Sequence, residues 1–149
     1  MDRIEINTGM DGFHLLSSVT LVDERRIWGR ADLADLPSLA GMECLAQLGA
    51  LHVRRLHDFS KHAFLLKVEG FSLAGQGEIS GNLALSGTLV ARSQAAFSYD
   101  LGAEKAGKEV CSGRFVFSIT AYDDRFSKDL LRKRYKELFA CLTSGSGIG

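Results

Sequence analysis

Apolar and polar positions divide this chain into one enclosed helical stretch and a series of half-buried strands. Over residues 36–59 the apolar side chains recur at helical spacing. Between Leu39 and Leu51 they cover more than one stripe, with Met42, Leu45 and Leu48 separated by Ala40, Ala46 and Ala50. A helix apolar nearly all round is enclosed by other structure. Asp35 or Ser38 can cap its start, Pro37 suits a first turn where a missing N–H is no loss, and residues 58–60 end the periodicity. Arg54, Arg55, His57 and Asp58 are solvent-type residues, so the helix is expected to run from a buried start to a wet end.

A period of two takes over afterwards. Cys111, Phe115, Phe117 and Ile119 alternate with Ser112, Arg114, Ser118 and Thr120, the pattern of a half-buried strand. Leu83, Leu85, Leu89 and Ala91 alternate with polar neighbours, and so do Phe97, Tyr99 and Leu101. The loop 102–108 joins the last two of these strands as a hairpin. Another strand fits residues 63–73, with Gly75-Gln76-Gly77 as the following turn. Ahead of the helix, residues 3–7 and 18–30 carry β-branched side chains at strand spacing. The expected order is two strands, one buried helix and four strands.

A second helix is expected over residues 127–142. Ser127 caps it, Asp129 suits its first turn, and Leu130, Leu131, Tyr135, Leu138, Phe139 and Leu142 form its stripe. Lys128, Arg132, Lys133, Arg134 and Lys136 make a basic face opposite. That face is read as solvated, with docking of an acidic partner, helped by Arg54 and Arg55, as the sharper alternative.

One residue interrupts the apolar pattern of the first helix. Glu43 is a carboxylate in an otherwise apolar stretch, and an ionised carboxylate in a low-dielectric site needs a partner, a ligand or a reaction. Gln47 stands four residues on, on the same helix face. The two mark a candidate site. His52, His57 and His62 fall at the wet end of the helix or just after it and are read as surface residues without metal-ligand spacing. Trp28, Phe115 and Phe117 are read as core or tunnel wall. Gly75-Gln76-Gly77 lacks the helix that would follow a phosphate loop, so a nucleotide reading is weak.

Composition narrows the setting. The chain has 149 residues, with 18 Lys plus Arg against 18 Asp plus Glu, so net charge gives no reason to expect nucleic acid as a partner. No apolar run approaches the roughly 20 residues a bilayer span needs, and Met1-Asp2-Arg3-Ile4-Glu5 has no signal-peptide core. Cys44, Cys111 and Cys141 are odd in number and lie in apolar patterns, which favours reduced, buried thiols in a cytoplasmic protein. Neither a metal site nor a cofactor is expected. One domain over residues 1–143 and a flexible Ser/Gly-rich tail over 144–149 complete the division.

The stretch Leu36-Pro37-Ser38-Leu39-Ala40-Gly41-Met42-Glu43-Cys44-Leu45-Ala46-Gln47 resembles the helix motif of the 3-hydroxyacyl-acyl carrier protein dehydratases, which carry Pro and Gly ahead of a Glu-x-Leu-Ala-Gln core. Its form is most similar to the dehydratase-like proteins of aryl polyene pathways, and the resemblance covers most of residues 12–122. It implies an α+β hot-dog fold, an antiparallel sheet wrapped around one long central helix, here with a C-terminal helix added. It also implies a homodimer or a hot-dog heterodimer acting on an acyl thioester carried by acyl carrier protein or coenzyme A.

In that family the helix Glu and a His from the partner subunit share the proton transfers of dehydration. Glu43 and Gln47 match the motif; the His does not. Its place before the helix reads Trp28-Gly29-Arg30-Ala31-Asp32-Leu33-Ala34-Asp35-Leu36-Pro37. Gly29, Arg30 or Asp35 occupies the position, and Asp35 is the one of these able to exchange protons. His14, in Phe13-His14-Leu15-Leu16, loosely resembles a second family motif, out of register. Dehydration needs a base for the C2 proton and an acid for the C3 hydroxyl. Glu43 can serve as the acid, the backbone N–H near Gly41 can polarise the thioester carbonyl, and His14, Asp35 or Asp32 would supply the base. Gly41, Phe64 and Leu65 are the candidate substrate-binding residues. Two alternatives stand beside dehydration: a hot-dog thioesterase, needing one carboxylate and no His, and a catalytically silent acyl-binding partner subunit.

Overall fold

The computed structural model describes residues 15–37, 39–74, 78–121 and 128–144. Strands β1 (Leu16–Val22) and β2 (Arg26–Pro37) precede helix α1 (Ala40–Leu56). Then follow β3 (His62–Leu73), β4 (Glu78–Arg92), β5 (Ala96–Lys105), β6 (Lys108–Thr120) and helix α2 (Lys128–Thr143). Among the described residues the strands make one six-stranded antiparallel sheet in the order β1-β2-β4-β5-β6-β3, with β1 and β3 at its edges.

The predicted order holds for the described residues, but the two leading strands arise differently. The expected strand at 3–7 lies outside the described residues, and the segment 18–30 splits in two. Asp23 makes the split. Its carboxylate accepts the backbone N–H groups of Arg25 (2.9 Å) and Arg26 (2.7 Å) and the Arg26 guanidinium (3.0 and 2.8 Å). These bonds, the Arg25 N–H foremost, pull its pKa down to about 2.

Helix α1 is 17 residues long, shorter at both ends than the span 36–59. Leu36 and Pro37 belong instead to β2, paired with Ile79 and Glu78. A residue before proline is biased toward extended backbone, and the β4 ladder captures both positions. Asp35 therefore does not cap the helix; it occupies the register shift of β2 at a φ of 38°, a left-handed conformation that Asp tolerates. Leu39 holds the cap position without a side-chain bond, and Ser38 lies outside the described residues. At the far end Asp58 and Phe59 turn left-handed (φ 51° and 59°), and the Phe59 N–H returns to the Arg54 carbonyl at 2.7 Å.

The loop expected over 102–108 shrinks to Ala106-Gly107, because both residues adopt positive φ and let the ladder run to Lys105 opposite Lys108. Trp28 is 42% exposed rather than part of the core. Ile27, Ala31 and Leu33 point inward along β2, and the period of two sends Trp28 to the outer face.

Inward side chains of β4, β5 and β6 (Leu83, Leu85, Phe97, Tyr99, Phe115, Phe117) meet α1, which packs against all six strands. Gly49 permits the close approach: a Cβ there would stand 2.6 Å from the Phe117 ring. Helix α2 packs against β1 and buries Tyr135, Leu138 and Leu142, while Lys133, Arg134 and Lys136 stay exposed. Its expected cap, Ser127, lies outside the described residues. Among those residues no helix is long and apolar enough to cross a membrane.

The expected wet end of α1 is not uniformly wet. His52 is fully buried, with Nδ1 2.6 Å from the Tyr99 hydroxyl and Nε2 2.7 Å from the Asp23 carbonyl. A carbonyl only accepts, so Nε2 carries the proton and Nδ1 accepts from Tyr99. Burial lowers the pKa of this histidine below its ordinary 6.5. The unfolded chain then takes up the proton first. Stability contributed by neutral His52 is present above pH 6.5 and is lost as pH falls from 6.5 through the lowered folded value. Urea midpoints are expected to drop between pH 7.5 and pH 5, and the drop should shrink in His52→Gln; a His52 resonance titrating at or above 6.5 would contradict this.

Candidate active site

Helix periodicity places Glu43, Ala46, Gln47, Ala50, Leu51 and Arg54 along one face of α1. Together with Leu16 of β1, Phe117 of β6 and residues 62–65 of β3, they line a cleft of about 300 Å³ whose surface is mainly apolar. Glu43 is half-buried there, less enclosed than the apolar run suggests.

Gln47 fixes its surroundings. The Leu15 backbone N–H donates to Gln47 Oε1 at 2.9 Å, so the amide must turn its NH2 the other way, and Nε2 donates to Glu43 Oε1 at 3.4 Å. The carboxylate is thereby held at one end of the cleft. Arg54, expected at the surface, is 4% exposed near the other end; its guanidinium donates to the Ala63 carbonyl at 3.1 Å and lies 4.3 Å over the Tyr135 ring. His62 lines the same cleft.

Of the residues singled out in the sequence, Glu43, Gln47, Phe64 and Leu65 come together in this cleft. Gly41 sits on another face of α1, where a Cβ would meet Cys111 Sγ at 2.9 Å and Ile79 at 3.3 Å. Asp35 and Asp32 are exposed on β2 and do not line the cleft. His14 lies outside the described residues, although Leu15, next to it in the chain, is the residue bonded to Gln47. Sequence reasoning missed Arg54 and His62 as cleft residues. Arg54 was within reach, because eleven residues on from Glu43 is three helical turns and the same face; His62 had no such signal, since β3 sets its position.

Cys44 and Cys111 are buried and Cys141 partly so, all three free. Burial pushes Cys44 up to about 12 and Cys111 up to about 11, which keeps both thiols protonated and poorly nucleophilic.

No protein-family model matches the chain, and no curated protein matches it. Solved structures do. The dehydratase heterocomplex ApeI:P from Xenorhabdus doucetiae superposes with a TM-score of 0.62 at 14% identity, over 75% of this chain and 85% of that one. A thioesterase from Haemophilus influenzae gives 0.60 at 12% identity, over 72% and 81%. A hypothetical thioesterase from Streptococcus pneumoniae, solved with coenzyme A, gives 0.59 at 13% identity, over 72% and 88%. The chain has the hot-dog fold. At these identities the likeness carries the fold, and neighbours with the hot-dog fold include both a dehydratase assembly and thioesterases. In this hot-dog chain the candidate cleft lies between α1 and the edge strand β3.

Proposed function

We propose that this protein acts on an acyl thioester, most favourably by dehydrating a 3-hydroxyacyl thioester on acyl carrier protein or coenzyme A. The observation that carries the reading is the carboxylate of Glu43, oriented by Gln47 at one end of a mainly apolar cleft. Apolar walls suit an acyl chain, and an oriented carboxyl suits proton transfer at its head. In this scheme a base removes the C2 proton, the electron pair forms the C2–C3 double bond, and Glu43 gives its proton to the C3 hydroxyl, which leaves as water. His62, which lines the cleft, is the favoured base, and His14, outside the described residues, stays a candidate on its sequence alone. Asp35 and Asp32, exposed on β2, and the Gly41 backbone as carbonyl donor, have less support from position.

Hydrolysis is the second reading, favoured by the thioesterases among the structural neighbours, and in it Glu43 activates water against the thioester carbonyl. Products separate the two. With a 3-hydroxyacyl-pantetheine thioester, enoyl absorbance without free thiol is the expected result, because dehydration spares the thioester bond. Release of thiol would establish hydrolysis instead. Saturable binding with neither signal would point to a silent subunit awaiting a His-bearing hot-dog partner; one structural neighbour is itself a dehydratase heterocomplex.

The proposal includes a twofold partner and a cytoplasmic, single-domain protein. Phe64, Leu65 and Leu66 are 38%, 38% and 54% exposed on edge strand β3, an apolar edge that a second copy would cover. Since Phe64 and Leu65 also wall the cleft, pairing along β3 would close it. Leu66→Lys is expected to shift the protein to monomer in sedimentation while leaving its circular dichroism unchanged; a variant that stays dimeric would place the interface elsewhere.

A further inference from the structure

A second cleft, of about 880 Å³, is lined by Arg25, Arg55 and Arg92 together with Glu24 and Asp58. It shares no lining residue with the Glu43 cleft. Its three arginines come from the β1–β2 turn, the last turn of α1 and the end of β4, so the fold and not local sequence gathers them. Like charges brought together repel unless something answers them. Asp58 is already engaged by Arg132 and, at 3.4 Å, by Lys136 of α2. Among the described residues none of the three arginines has a carboxylate within ion-pair distance; Arg92 lies 5.1 Å from the Phe97 ring. The lining therefore carries three guanidiniums against two carboxylates, Glu24 and Asp58, of which Asp58 is already held by α2. Leu56, Phe59, Leu89 and Phe139 give that cleft an apolar floor.

We propose that the Arg25–Arg55–Arg92 cleft is a binding site for a phosphate monoester or diphosphate, with the guanidiniums on the phosphoryl oxygens and the apolar floor under the body of the ligand. Planar guanidinium forks match phosphoryl oxygens in pairs, and the affinity of such charge-assisted bonds exceeds that of neutral ones. Both free phosphate and a nucleotide carry this chemistry. The site is independent of the acyl-thioester reading, because no residue of the Glu43 cleft contributes.

Calorimetric titration with inorganic phosphate and, separately, with ADP tests it on the full chain. Saturable binding of either is expected, tighter for ADP where the source is a nucleotide and equal for the two where it is phosphate. Replacing Arg55 and Arg92 together by Gln should weaken that binding by about 10- to 100-fold per guanidinium lost, the range for hydrogen bonds to charged groups. Arg134→Gln, exposed on α2 and outside the cleft, should leave it unchanged. The proposal is overturned if neither ligand binds at millimolar concentration, or if the Arg134 variant loses as much affinity as the double one.

Discussion

Glu43→Gln is expected to abolish acyl-thioester turnover, by about 10²–10⁴-fold or more, while leaving the fold as stable as before or slightly more so. The size follows from general acid–base catalysis, which typically contributes that factor. The direction of the stability change follows from position. Glu43 is half-buried on a mainly apolar cleft, where an amide of the same shape, which carries no charge in any state, is at least as easy to desolvate as a carboxyl group. The amide oxygen of the variant can still accept from Gln47 Nε2, so the local bond survives. Turnover and urea melts measured on one preparation give the check. A variant that loses its fold would give Glu43 a structural role, and a folded variant that retains full turnover would remove Glu43 from the chemistry; either result overturns the proposed site.

Phe117→Ala is expected to cost about 3–5 kcal/mol of stability, the range for removing a buried aromatic ring. Set against the 5–15 kcal/mol of a typical small domain, that loss is a large share. The ring is fully buried, meets Tyr99 edge to face at 5.6 Å, and fills the space that Gly49 leaves open on α1. It also forms part of the cleft wall, so its removal would widen the site. Chemical denaturation provides the measurement. A loss under 1 kcal/mol would mean that the helix and sheet collapse onto the vacated volume, and that the close approach at Gly49 does not depend on the ring.

What could be read in the sequence was local. Period two along β4, β5 and β6 gave the strands and their buried faces, because a strand with one wet side must alternate. The lone carboxylate in the apolar stretch of α1, and the Gln one turn on, gave the pair that the fold brings to one cleft. Errors fell where a pairing partner decides the outcome. Pro37 suits a helix start by its own chemistry, yet β4 claims it for a ladder. His52 and Arg54 have surface character as residue types, but the Tyr99 hydroxyl, the Asp23 and Ala63 carbonyls and the Tyr135 ring supply the partners that make burial possible.

By itself, then, the sequence determined the order of elements from the long helix onward, the buried faces of β4, β5 and β6 and the Glu43–Gln47 pair, since each depends on spacing within one segment. Only the tertiary structure decided which segments close a cleft over that pair, and that Arg25, Arg55 and Arg92 from three separate elements share another. The physical reason is that both gatherings depend on strand order and helix placement, contacts between residues distant in the chain, which no periodicity encodes.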